Sequence, residues 1–439
     1  METQPATTLQ RSLGLFPVTS IVIANMVGAG IFTTSGLLMQ GLNAPFLMIL
    51  LWFAGGIIAL CGALSYSELG AAMPEAGGEY VFLSRLFHPM LGFLSGWVSF
   101  IVGFSAPIAA SAMGVSEYIA RAYPSMVIPG KLLSIMVILL FTGIHLMGVK
   151  TGARVQNVLT LLKIAMIIAL IILGFSGGRG DMAHFSEGTA AVTGFAGLKT
   201  IGLSIMWIMF AYSGWNAATY IGSEIRNPAR NLPAALLLGT GVVMVLYLCI
   251  NVLYVYAVEP ADMRDVISIG GMAAGRLFGR QMETTFSILI AFALFSSLSA
   301  YMMLGPRVYF SMARQGLFFK ALSKVNPSNH APSNAILLQA LFSIIMVVSG
   351  TFDQILTYMG FALGIFPILC VAGVFKQRRT MPGALRLPGF PVAPVIFIMA
   401  GITMLALSFL ERTAESSIAL ATVVAGIPAY YLFKHYRRL

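Results

Sequence analysis

Apolar runs of about 20 residues recur along the whole chain, each long enough to carry a helix across roughly 30 Å of hydrocarbon. They predict spans at 13–39, 45–70, 88–119, 132–149, 155–176, 198–222, 233–257, 283–312, 333–351, 354–375, 392–410 and 414–433. No soluble domain interrupts them. Of 439 residues, 58% are hydrophobic and only 9% charged, too little charge to cover a water-soluble fold, where about a quarter is usual. The reading is an all-α polytopic membrane protein: a single membrane domain, 1–439, of about twelve transmembrane helices in a lipid bilayer.

The net charge of +11 is no nucleic-acid footprint, because the basic residues sit in short connections rather than on one stripe or tail. With the N-terminus inside, 17 loop and tail basics fall on the cytoplasmic side and 8 on the other. That bias predicts cytoplasmic termini in a multi-pass protein of the cell membrane. The polar segment 1–10 enters the first span with no small-residue cleavage site, so no removable leader is expected. Cys61, Cys249 and Cys370 all fall in apolar spans, as small core residues rather than a disulfide framework or metal site.

Within the first span stands "VGAGIF", Val27 to Phe32. Each glycine costs about 1 kcal/mol relative to alanine in a helix, and a lost backbone hydrogen bond in hydrocarbon costs several more. Taken alone, two glycines so close suit a tight helix contact. Five spans later "MFAYSGWNAATYIGSEIRNP" sets Ser213 and Gly214 in mid-span. Matched interruptions suggest inverted repeats, 13–176 and 198–375, followed by two further helices within 392–433, with a binding site at the midplane. Amides freed at a half-helix N-terminus attract an anion; carbonyls freed at a C-terminus attract a cation. A zwitterionic amino acid offers both.

Lys163 lies about nine residues into the fifth span, and a lysine inside the membrane marks a functional site by default. No Asp or Glu is expected deep in a span to pair with it; Glu68 and Glu117 lie near span ends and the other acids in loops or tails. Unwound carbonyls of the first span are its natural partner. The roles of Trp207 and Trp215, shaping the site or packing, stay open.

These stretches resemble the amino acid–polyamine–organocation superfamily, and within it the bacterial relatives of L-type amino acid transporters. "VGAGIF" is similar to the family's GSGIF motif, "SYSELGAAMPEAGGEY" to its segment after the second span, "FAYSGWNAATYIGSEIRNPARNLPAA" to its sixth span and following loop, and "GPRVYFSMARQGLF" to the end of its eighth. The resemblance covers nearly the whole chain and implies the leucine-transporter fold, with a 5+5 inverted repeat. It implies a substrate carboxylate at the backbone of Gly28, Ala29 and Gly30, and a substrate amine at carbonyls near Met26 and Phe210, with Ser213 close by. Phe210 would cover the substrate, and Asn216 would hold the unwound region. Ala29 stands where the family usually has serine, so one hydroxyl is absent. Lys163 matches a lysine found where sodium-coupled relatives hold the ion.

No GxxxxGK[ST] loop suits an ATP-driven pump, and the five scattered histidines suit no membrane enzyme. A channel has little use for matched helix breaks. The leading expectation is a sodium-independent exchanger or facilitator of neutral L-amino acids, without a cofactor. The alternative is a proton-coupled permease for cationic amino acids or polyamines. The loop "RAYPSMVIPGK" carries no cysteine, so no disulfide-linked accessory subunit is expected.

Overall fold

A computed structural model describes residues 11, 13–75, 77–187, 192–314, 316–324 and 332–436. Among the described residues the chain is helical and has no strand; one isolated bridge pairs Leu13 with Ile225. Among the described residues ten helical stretches are long and apolar enough to cross a bilayer, and two apolar helices of 17 residues bring the candidate crossings to the expected twelve. At about 1.5 Å per residue those two reach roughly 26 Å, close to the hydrocarbon thickness.

The first span is split into α1 (Leu15–Met26) and α2 (Ala29–Leu42). α2 ends where Asn43 turns left-handed, and Pro45, needing no amide partner at a first helical position, starts α3 (Pro45–Ala72). α4 (Glu79–Leu86) and α5 (Pro89–Val98) follow; His88 caps α5 by accepting the Met90 amide at 3.1 Å. A π-turn, Ser99–Gly103, leads into α6 (Ser105–Ala122). The fourth to seventh spans are α7 (Gly130–Leu146), α8 (Val149–Gly177), α9 (Gly194–Ala211) and α10 (Pro228–Ala257). Short helices α11 (Pro260–Met263) and α12 (Ile269–Phe278) precede α13 (Arg280–Arg314). The last crossings are α14 (Ser333–Ser349), α15 (Phe352–Thr380), α16 (Val392–Glu411) and α17 (Thr413–Tyr436).

Both α1 and α3 pack along α10, α2 meets α9, and α13 runs between α6, α8 and α12. The two broken spans are thereby held in the middle of the bundle. Leu139, Leu140, Leu161, Ile172, Val245, Ile402 and Ile418 are exposed, as lipid-facing side chains must be. Backbone polar groups meanwhile stay paired inside the helices.

Three elements refine the sequence expectation. The segment after the second span, between two predicted crossings, forms α4, which buries Glu79, Phe82, Leu83 and Leu86 against α5 and α15. The sixth span is interrupted where Ser213 and Gly214 were expected to break it: α9 stops at Ala211, and a 3-10 helix, Ala217–Glu224, continues it. α12, within what read as a loop, buries Ile269, Ala273, Ala274 and Leu277 and packs on α13.

Candidate functional site

α1 ends at Met26, Val27 and Gly28 are non-helical, and α2 begins at Ala29. The break therefore lies one residue earlier than Gly28-Ala29-Gly30 suggested. Ala29 and Gly30 already belong to the first turn of α2, whose amides have no side-chain cap and carry the positive end of the helix dipole. Gly30 is a packing residue: a Cβ there would overlap the backbone of Ala211. At Gly28 the nearest atoms to such a carbon are the Met26 carbonyl at 3.7 Å and Ser297 Oγ at 3.8 Å, which is ordinary contact.

The second break faces the first. After Ala211 the chain turns through 212–216, with the Ser213 amide donating to the Phe210 carbonyl at 2.9 Å. Gly214 sits at φ +94°, and a Cβ on it would lie 2.8 Å from the Asn25 carbonyl oxygen. Only glycine lets the two interrupted backbones touch this way. Phe210 and Met26 are buried; Ser213 and Asn216 are half-buried. Ser213 is hydrogen-bonded to Tyr301 of α13. The Asn216 carbonyl accepts from the Thr219 amide at 2.9 Å and hydroxyl at 2.7 Å, starting the 3-10 helix.

Tyr247 of α10 joins the two half-helix C-termini. Its hydroxyl lies 2.7 Å from the Met26 carbonyl and 3.0 Å from that of Ala211; with one proton it donates to one at a time. The ring packs against Trp52 and Tyr212, centroids 5.6 and 5.1 Å away. Sequence reasoning missed this residue, since nothing in "VVMVLYLCINVLYVYA" separates Tyr247 from Tyr254 or Tyr256.

Lys163 is fully buried. Its ammonium donates to the Ala24 carbonyl at 3.1 Å and to the Val27 carbonyl. Ser297 Oγ of α13 also approaches the Val27 carbonyl, at 3.4 Å. No carboxylate among the described residues forms an ion pair with Lys163.

A carboxyl does sit beneath the second break, where loop placement alone gave no hint of it. Glu79 is buried, and its Oε1 accepts from Asn216 Nδ2 at 3.0 Å and the Tyr66 hydroxyl at 2.9 Å. The two tryptophans pack: Trp207 Nε1 donates to Thr357 Oγ1 at 3.1 Å, and Trp215 lies edge-on to Tyr66 and Phe397. Among the described residues no group of His, Cys, Asp or Glu is placed to hold a metal ion. A cavity of about 680 Å³ lined by Glu117, Arg121, Arg280 and Glu283 shares no lining residue with the breaks. What the centre offers is backbone: uncapped amides at the start of α2, with the carbonyl ends of α1 and α9 beside them.

A family model described as amino acid permease matches residues 13–428. The chain is 28% identical to b(0,+)-type amino acid transporter 1 of Mus musculus over 449 residues, covering 98% of this chain and 89% of that protein. It is 28% identical to the serine/threonine exchanger SteT of Bacillus subtilis over 435 residues, 97% of each. It is 27% identical to the cystine/glutamate transporter of Homo sapiens over 433 residues, 97% of this chain and 85% of that one.

Proposed function

The chain belongs to the amino acid permease family, and from that premise we propose that it is a sodium-independent secondary transporter that exchanges or facilitates neutral L-amino acids by alternating access. One observation carries this reading: the uncapped N-terminus of α2 and the carbonyl ends of α1 and α9 lie side by side in the bundle. A bound amino acid would place its carboxylate at the amides of Gly28, Ala29 and Gly30. Its amine would lie toward the carbonyls of Met26 and Phe210, beside Ser213.

The Met26 carbonyl already accepts from Tyr247, so the amine has to share it or displace that hydroxyl. Phe210 would cover the ligand, and Asn216 would steady the turn beneath it. Lys163 would act as a fixed cation on the first span, in place of a sodium ion. The two breaks support an inverted repeat of 13–176 and 198–375, with 392–433 added. Cytoplasmic termini accord with the charge bias. Cys61, Cys249 and Cys370 all lie within spanning helices rather than in loops, and this position supports action without a disulfide-linked partner.

The serine/threonine exchanger SteT, by its name, supports exchange of small neutral amino acids, whereas the cystine/glutamate transporter is named for other substrates. Uptake into proteoliposomes, with and without internal amino acid and with and without sodium, tests the proposal. Stimulation by internal neutral amino acid and indifference to sodium are expected. Sodium-dependent uptake would sink the tether role of Lys163. Uptake that internal amino acid leaves unchanged would leave facilitation rather than exchange.

A further inference from the structure

Two carboxyls are buried among the described residues, Glu68 and Glu79. Glu68 meets Arg378 in an ion pair, and the Leu387 amide donates to it at 2.9 Å. Glu79 meets no cation among the described residues. It is held by neutral donors from three elements: Tyr66 of α3, Asn216 of the second break, and Ser95 of α5, whose Oγ lies 3.4 Å from Oε2. Tyr220 of the 3-10 helix and Cys370 of α15 also face it. Phenols and thiols ordinarily keep their protons at neutral pH. Neighbouring charges have partners of their own: Arg378 on Glu68, Arg85 on Glu75, and Lys376 over the Phe87 ring.

Either protonation form of Glu79 fits this cage. The carboxylate accepts all three bonds. A proton on Oε2 points at Ser95 Oγ and leaves Oε1 free to accept from Tyr66 and Asn216. What changes is strength, because a hydrogen bond to a charged acceptor is about twice as strong as one to a neutral acceptor. Asn216 begins the 3-10 half of the sixth span, so that change falls on the hinge between the two halves.

We propose that Glu79 is a proton-binding positioning residue: as a carboxylate it clamps Asn216 and the 3-10 half of the sixth span, and on taking up a proton it loosens that clamp and speeds amino acid exchange. The proposal rests on the transport reading for its consequence, but not for the protonation itself. Burial pushes the Glu79 carboxyl up to about 7, against the downward pull of its bonds from Tyr66, Ser95 and Asn216. The group is therefore poised to change charge near neutral pH.

The test is alanine exchange in proteoliposomes at equal internal and external pH. Wild-type exchange should rise roughly threefold as pH falls from about 8 to about 6. Glu79→Gln should be flat, at the acid-limb rate, and Glu79→Asp should keep a pH dependence. A Glu79→Gln profile that follows the wild type overturns the proposal.

Tyr66→Phe gives a second handle should Glu79→Gln fail to fold. It removes a bond that favours the charged form, so the midpoint should move to higher pH; an unmoved midpoint counts against the proposal. Infrared difference spectra of the purified wild type, without substrate, should show a buried carboxylic-acid band that disappears as pH rises through neutrality. That band should shift in Tyr66→Phe. If the liposomes exchange no amino acid the transport reading fails, and the infrared titration still decides the proton site: a band that does not titrate overturns it.

Discussion

Gly28 and Gly30 stand two residues apart and do different things, so substitution separates them. A methyl at Gly28 meets only ordinary contacts, and Gly28→Ala should fold with near wild-type thermal stability. Gly28→Leu would put a branched chain across the amides of α2 and should weaken neutral amino acid binding about tenfold or more. At Gly30 even the methyl overlaps the Ala211 backbone, so Gly30→Ala should lower the melting temperature by itself. Scintillation-proximity binding beside a thermal melt reads both effects; wild-type binding by Gly28→Leu would remove the anion role of this helix end. Lys163 tests the other end. Lys163→Met keeps most of the side-chain stem and leaves the Ala24 and Val27 carbonyls without their ammonium donor. A buried group left unsatisfied costs about 1–3 kcal/mol, so exchange should fall roughly tenfold to a hundredfold while expression persists. Wild-type exchange by that variant would show that α1 needs no cation at its end.

At the scale of elements, the two interruptions were legible because their signal is local. Small residues sit where a helix in hydrocarbon should be unbroken, and they recur five spans apart. The position within the first motif was not legible to the residue, since Gly28 and Gly30 look alike until Ala211 is seen against one of them. The burial of Glu79 was less legible still. An acid after "AGG" reads as a loop residue, and only the packing of α4 on α5 and α15 takes it out of water. The same holds for α12 and for Tyr247, whose roles depend on partners far along the chain. Gly214 offers a test at this scale. Its positive φ and its contact with the Asn25 carbonyl join the two broken spans, and Gly214→Ala should cost about 1–3 kcal/mol. A lowered melting temperature with impaired exchange is expected, and the drop should exceed that of Ser213→Ala, which loses only the bond to Tyr301, about 1 kcal/mol. An unaltered melt for Gly214→Ala would mean that the two backbones need not touch.

For the whole molecule, orientation and selectivity follow from where charge is and is not. The excess of basic residues at one set of loops predicts that Thr380 faces the cytoplasm and Asp181 the outside. In a background lacking Cys61, Cys249 and Cys370, an impermeant thiol reagent added to intact cells should label Asp181→Cys and spare Thr380→Cys; the opposite pattern reverses the orientation. Selectivity is decided at the centre. Phe210, Ala211, Tyr212 and Ser213, the residues at the second break, carry no charged side chain. Lys163, whose ammonium lies at the first break, already donates to Ala24 and Val27. A substrate with a charged side chain would bury that charge unpaired, at several kcal/mol, and a cationic one would also meet the field of Lys163. A difference of about 4 kcal/mol is roughly a thousandfold in affinity. Alanine, serine and leucine should therefore compete for uptake, while lysine, arginine and glutamate barely do. The measurement is inhibition of labelled alanine uptake by each in turn. If arginine or putrescine inhibits better than every neutral amino acid, the charge-free centre is not where the side chain lies, and the cationic permease reading takes its place.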